Sequence, residues 1–230
     1  MLNIMDNNLI KRFRITLDND WYEDWYSRNM YGLTDIELHE GITTLVGCNG
    51  SGKTTFIKQL KHILEEKEIV FLDYNNLGME QKALSKAGFI GDWTKVANTI
   101  QSSEGENIYD NFGFFLRTLG TKVRKMNSGN KFFIFVDGID SGLSIDLIEE
   151  MKDVFRNVIL PDLKKRGIEA YIIITANSYE LVENTKCFSL MLGKYVRFED
   201  YNDYKTYIME TKEYKNNRID KNKKENDNDE

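Results

Sequence analysis

Residues 47–54 read Gly-Cys-Asn-Gly-Ser-Gly-Lys-Thr. They fill every fixed position of G-x-x-x-x-G-K-[ST]. The pattern constrains the fold because it works at one kind of junction. A buried strand must lead in, a helix must lead out, and backbone N–H groups must turn inward between them to make an anion cradle. Both neighbours are present. Thr43 to Val46 is an apolar strand ending at glycine. Thr55 to Leu64 carries Phe56, Ile57, Leu60, Ile63 and Leu64 at helical three- and four-residue spacing. In such a cradle Gly47, Gly50 and Gly52 allow close backbone approach, and Cys48, Asn49 and Ser51 complete the turn. The helix start points its positive end at the anion. Lys53 reaches the β- and γ-phosphates, Thr54 offers its hydroxyl to Mg²⁺, and Thr55 contacts the α-phosphate. The expected ligands are ATP and Mg²⁺.

The rest of the chain alternates short apolar runs with amphipathic stretches. Phe13 to Leu17, Asp35 to Leu38, Ile69 to Leu72, Phe132 to Val136, Tyr171 to Ile174 and Phe188 to Leu192 read as strands. Ile108 to Val123 and Ile145 to Val158 read as helices, the second broken or kinked where Leu160 precedes Pro161. Alternation of this kind predicts an α/β fold with a largely parallel, buried sheet. With 41% hydrophobic and 12% aromatic residues the chain can build a substantial core. One segment departs: Lys215 to Glu230 holds five basic and five acidic residues and one large apolar residue, Ile219. It reads as a disordered charged tail (215–230) after a single domain (1–214). Its lysines Lys221, Lys223 and Lys224 offer a contact for an acidic partner, although a solvated tail is the plainer reading.

Charge and cysteine usage exclude several classes. Lys and Arg number 31 and Asp and Glu 37, a net charge of −6. Bulk-charge coating of nucleic acid is disfavoured, though a local basic patch is allowed. No apolar run approaches the roughly 20 residues that span a bilayer, so no membrane partner is expected. The N-terminal residues MLNIMDNNLIKRF have no apolar signal core. Cys48 and Cys187 are the two cysteines, too few for a disulfide framework or a four-cysteine metal site. A cytoplasmic location is the expectation.

A phosphate loop of this kind needs an acid on a neighbouring strand to hold the metal through water. Lys131 to Asp137, KFFIFVD, supplies an apolar strand ending in a carboxylate, which makes Asp137 the second metal-side residue after Thr54.

With both halves in place the sequence resembles the heads of ABC-type ATPases. GCNGSGKTT is similar to their G-x-N-G-S-G-K-[ST]-T loop. DGIDSGLS (137–144) is similar to their D-E-P-T-S-G-L-D run, matching at Asp137, Ser141, Gly142 and Leu143. Ser102 to Glu106 looks like a degenerate L-S-G-G-E signature, matching at Ser103, Gly105 and Glu106. The N-terminal strands followed by Glu40-Gly41-Ile42 resemble the SMC/RecF kind within the AAA family of ATPases. Lys53 and Ser103 are too close in sequence for long coiled-coil arms, so the head is armless. The resemblance implies an ABC-head-like P-loop NTPase fold with an N-terminal antiparallel strand region. It also implies a nucleotide-dependent homodimer, in which Ser103 and Gly105 reach the γ-phosphate held by the opposite protomer. A protein partner, in phage biology, defence or DNA metabolism, would be driven by that dimerisation.

Three positions depart from the family pattern. The glutamate after the metal-side aspartate is Gly138. The aspartate closing the following loop is Ser144. The switch histidine is absent from Thr175-Ala176-Asn177-Ser178, and neither His39 nor His62 lies there. Asp140 is the nearest carboxylate and is either the replacement base or a turn cap. Asn177 either orients water through its amide or closes a turn. Lys53, Asp137, Asp140 and Asn177 are the catalytic candidates. Trp21, Tyr22, Trp25, Tyr26 and Tyr31 are candidates for stacking on adenine or for packing a core or partner surface. Lys164-Lys165-Arg166 reads as a helix end favourable to the dipole, with a nucleic-acid contact as the second reading. A slow ATPase is the first reading. A non-hydrolysing, nucleotide-gated interaction module is the second, given Gly138. A small-molecule kinase is the third, disfavoured because no Arg-rich lid is apparent.

Overall fold

The computed structural model describes residues 11–17, 33, 35–75, 104–140 and 143–226. Two short strands come first: β1 (Arg12–Thr16) and β2 (Asp35–His39), paired antiparallel with Phe13 opposite Leu38 and Ile15 opposite Ile36. Next come β3 (Gly41–Val46), α1 (Lys53–Glu66), β4 (Val70–Asn75), α2 (Glu104–Val123) and β5 (Lys131–Asp137). A helical stretch follows: α3 (Ile145–Asp153), a π-helical segment (Val154–Ile159) and α4 (Leu160–Lys165). The chain ends with β6 (Glu169–Thr175), α5 (Tyr179–Val182), β7 (Cys187–Ser189), β8 (Lys194–Val196) and α6 (Tyr201–Asn226).

Among the described residues the main sheet has six strands in the order β4-β5-β6-β3-β7-β8. All neighbours pair in parallel except β7 and β8. The expected α/β fold with a mostly parallel sheet is present, together with the antiparallel pair near the N-terminus.

The apolar run of β5 shows why the sheet is buried on both faces. Successive side chains of a strand point to opposite sides. Phe132, Ile134 and Val136 therefore join the core made with α2, the α3–π–α4 stretch and Tyr204 and Tyr207 of α6. Phe133 and Phe135 enter the other core, with α1 and the β1–β2 pair. Phe133 stacks on Tyr171 of β6 at 4.6 Å and meets Phe13 edge-on at 5.0 Å. These contacts fix the register that brings the strand ends of β3, β5 and β6 to one rim.

Three expectations are corrected. Pro161 does not break its helix. The turn before it widens instead, with Leu160 N–H donating to Phe155 O five residues back. Pro161 is the second residue of α4, and the helix runs on through it because the widened turn comes just before, with Ile159 and Leu160 both keeping helical angles. The run Phe188 to Leu192 is not one strand. Pairing stops at Ser189, and a turn closed by Gly193 N–H on Ser189 O leads into β8. Finally, Lys215 to Asn226 is helical and continues α6. The segment contains no glycine or proline and is rich in helix-forming lysine, and its start is held by packing upstream at Tyr204, Tyr207 and Thr211.

Among the described residues no helix is long and apolar enough to cross a membrane.

Candidate nucleotide site

The loop after β3 has the geometry that its glycines predict. Gly47 has φ +151°, and a Cβ there would sit 2.6 Å from Ser51 Oγ. Only glycine fits both the backbone and the space. The Ser51 hydroxyl is buried and has no hydrogen-bond partner, so the turn holds an unsatisfied polar atom beside the cradle. Lys53, at the start of α1, is 8% exposed. Its ammonium donates to Gly47 O at 2.8 Å and Cys48 O at 3.3 Å, which folds it across the loop. Burial pushes it below the ordinary lysine range, against the opposing pull of Cys48 and of the Asp140 and Asp137 carboxylates. The site thus stores a partly desolvated cation, the group an incoming polyphosphate would neutralise.

Asp137 ends β5. Its strand is not the immediate neighbour of β3 that the loop's chemistry leads one to expect, because β6 lies between them. The gap is closed by hydroxyls. Thr54 Oγ1 donates to Asp137 Oδ2 at 2.9 Å. Thr175 Oγ1, at the end of β6, donates to Asp137 Oδ1 at 2.7 Å and accepts from Gly138 N–H at 3.1 Å. Thr54 and Asp137 offer hard oxygens side by side, the donor chemistry that suits a Mg²⁺ completed by water and phosphate. Among the described residues no group of three or more His, Cys, Asp and Glu side chains gathers for a metal, and a metal held through phosphate needs none.

Asp140 and Asn177 are brought together. Asp140 Oδ2 accepts from Asn177 N–H at 2.6 Å and Ser178 N–H at 2.7 Å, and Oδ1 accepts from Asn177 Nδ2 at 3.2 Å. The carboxylate ties the loop after β5 to the loop after β6, ahead of α5. Gly138, where the family pattern has glutamate, has φ +72°, and a Cβ added there would meet nothing within 4 Å. A side chain at this position encounters backbone strain rather than a clash. Gly138→Glu is therefore expected to cost about 1–2 kcal/mol, read as a lower denaturation midpoint with an unchanged slope.

The remaining candidates divide. Cys48 is buried, Asn49 and Gly50 are exposed, and Thr55 is half-buried beside them. Gly105 lies in the first turn of α2. Ser103, Ser141, Gly142 and the five aromatics Trp21, Tyr22, Trp25, Tyr26 and Tyr31 lie outside the described residues. Two participants carry no motif that would single them out. Thr175 is legible in the sequence only as the polar residue closing an apolar strand. The second is the C-terminal helix: Thr211 Oγ1 accepts from Cys48 N–H at 3.1 Å, and Lys215 Nζ donates to Asn49 O at 2.8 Å.

The AAA domain family profile matches residues 36–177, from β2 through Asn177. The chain belongs to the AAA domain family. The match spans the loop, Asp137 and the Asp140–Asn177 pair, so this is a P-loop domain of a nucleotide-binding ATPase family. No curated protein matches the chain. Among solved structures it is similar to Stu0660 of Streptococcus thermophilus, with 13% identity, a TM-score of 0.41 and 74% of each chain covered.

Proposed function

We propose that this AAA-family domain binds Mg-ATP at the loop of residues 47–55 and hydrolyses it slowly, using nucleotide-dependent dimerisation to act on a protein partner. The observation that carries the reading is the convergence of three groups on one rim: the buried Lys53 ammonium, the Thr54 hydroxyl and the Asp137 carboxylate. Lys53 neutralises phosphate charge. Thr54 and Asp137 would hold the Mg²⁺, which when bound screens the phosphates and polarises the γ-phosphoryl group. Thr175 orients Asp137 and keeps the strand ends in register. To Asp140 and Asn177 we assign the positioning of water, with Asp140 as the carboxylate that substitutes for the absent glutamate. Calorimetric titration with ATP, with and without Mg²⁺, tests the binding step. Phosphate release from ATP alone tests hydrolysis.

A second reading has its own support. Gly138 offers no carboxylate, and both Asp140 oxygens already accept bonds from Asn177 and Ser178. A protein that binds ATP and changes its association without turnover would fit those facts. ATP binding with no phosphate release, even with a co-purifying partner, would select this switch.

Dimerisation is assigned to the signature-like stretch that holds Ser103 and Gly105. A signature of this kind acts across an interface, so Ser103→Arg is expected to leave ATP affinity intact while blocking association. Sedimentation with a non-hydrolysable ATP analogue reads this directly. A wild type that stays monomeric at every nucleotide and protein concentration would remove the homodimer from the proposal.

A further inference from the structure

One face of α6 follows the phosphate loop residue by residue. The Tyr207 hydroxyl lies 3.4 Å from Val46 O and 2.7 Å from Ser189 Oγ. Thr211 Oγ1 accepts from Cys48 N–H and donates its own proton to Ile208 O at 2.8 Å. Lys215 Nζ donates to Asn49 O, and it stands 3.4 Å from where a Cβ on Gly50 would be. Positions 207, 211 and 215 are four apart and so share one helix face. Over that span, about 12 Å of helix, they hold residues 46, 48 and 49 in order. Tyr207 and Thr211 are buried. The Cys48 N–H is a donor that must find a partner inside the protein, and Thr211 is the partner it has.

We propose that α6 is a clamp on the phosphate loop, with Thr211 and Lys215 as positioning residues that set nucleotide affinity, so that nucleotide binding and helix docking strengthen each other. The idea rests on the nucleotide reading above. The loop's cradle exists only while its N–H groups keep their inward turn. Thr211 and Lys215 hold that turn at Cys48 N–H and Asn49 O from a helix that follows β8 in sequence. Whatever loosens α6 then loosens the cradle, and by linkage an anion that orders the cradle holds α6 in place. Lys215 also brings a positive charge to the mouth of a site built for phosphate. It makes this contact from a half-buried position, so its charge is only partly screened by solvent.

The test uses the full chain with Thr211→Val, which keeps shape and removes the acceptor, and Lys215→Met, which keeps the stem and removes the charge. ATP affinity is read by calorimetry. Amide hydrogen exchange is read at residues 47–50 and 204–215, with and without Mg-ATP. Each variant is expected to bind ATP at least about fivefold more weakly. Exchange at 47–50 is expected to quicken even without nucleotide, and Mg-ATP is expected to slow exchange across 204–215 in the wild type. Lys215→Arg is expected to recover most of the affinity lost in Lys215→Met. Variants that match wild type in affinity and in loop exchange would overturn the clamp. A wild type that does not bind ATP would overturn the nucleotide reading instead. Loop exchange without nucleotide then judges the contact alone, and unchanged exchange there would overturn that too.

Discussion

Lys53→Ala is expected to weaken ATP binding roughly ten- to hundredfold, the worth of one or two charge-assisted hydrogen bonds to a polyphosphate. The side chain is suited to the role because it is nearly enclosed and lies across the carbonyls of Gly47 and Cys48. A cation held there is short of water before any ligand arrives. The pH dependence has a definite sign. Folding lowers the proton affinity of Lys53 below its ordinary value of 10.5. Between the lowered value and 10.5 the unfolded chain binds more protons, so the apo protein gains stability as pH rises through that window. Below the window the cost of burying the charged ammonium is present in full. A bound polyphosphate offsets it. ATP is therefore expected to raise the melting temperature of the wild type near neutral pH, and Lys53→Ala to lose most of that rise. Calorimetry gives the affinity and a melting series gives the shift. Unaltered affinity in the variant would count decisively against the assigned loop.

The parts of this site differ in how far the sequence discloses them. The loop is legible because every constraint on it is local. Gly47 must accommodate Ser51 four residues on, and Lys53 must open a helix whose apolar face is visible in Phe56, Ile57, Leu60 and Leu64. Asp137 is legible for a similar reason, as the first carboxylate after an unbroken apolar strand. Strand order is not local, and the insertion of β6 between β3 and β5 leaves no trace in either motif. Thr175 acquires its role only once that insertion places it against Asp137, 38 positions earlier. The C-terminal helix is hidden by its composition. Its buried stripe is sparse, with Tyr204, Tyr207 and Thr211 set among charged and amide side chains. Two tyrosines and a threonine make a weak apolar period, and their value lies in hydroxyls, those of Tyr207 and Thr211 meeting Val46, Cys48 and Ser189. The stretch from Lys215 reads as disorder on composition, because burial cannot hold it. It is helical here as a continuation of a helix already anchored upstream, so the cost of starting a new helix does not arise.

Turnover is where this chain parts from the family pattern it resembles. Attack on the γ-phosphate needs a water that is positioned and relieved of a proton, and a carboxylate within hydrogen-bond reach serves both needs. Gly138 offers none, and a positioned acid–base group is worth typically about 10²–10⁴-fold in rate. The wild type is therefore expected to be slow. Asp137→Asn is expected to cost at least about a hundredfold of whatever rate remains, because the formal charge opposite Thr54 is lost. The fold should survive, since the amide still meets the Thr54 and Thr175 hydroxyls, which can donate or accept. Asp140→Asn is the sharper probe. One amide oxygen can keep accepting from the N–H groups of Asn177 and Ser178, so the tie between the two loops is largely retained. A base would nonetheless be gone. If Asp140 accepts the water's proton, Asp140→Asn cuts turnover more than tenfold with little change in ATP affinity or melting temperature. Turnover equal to wild type would leave Asp140 as the loop tie its hydrogen bonds describe. Asn177 cannot take the proton at neutral pH, so in that event the rate of the wild type would measure what Lys53, Asp137 and a positioned water achieve without a base.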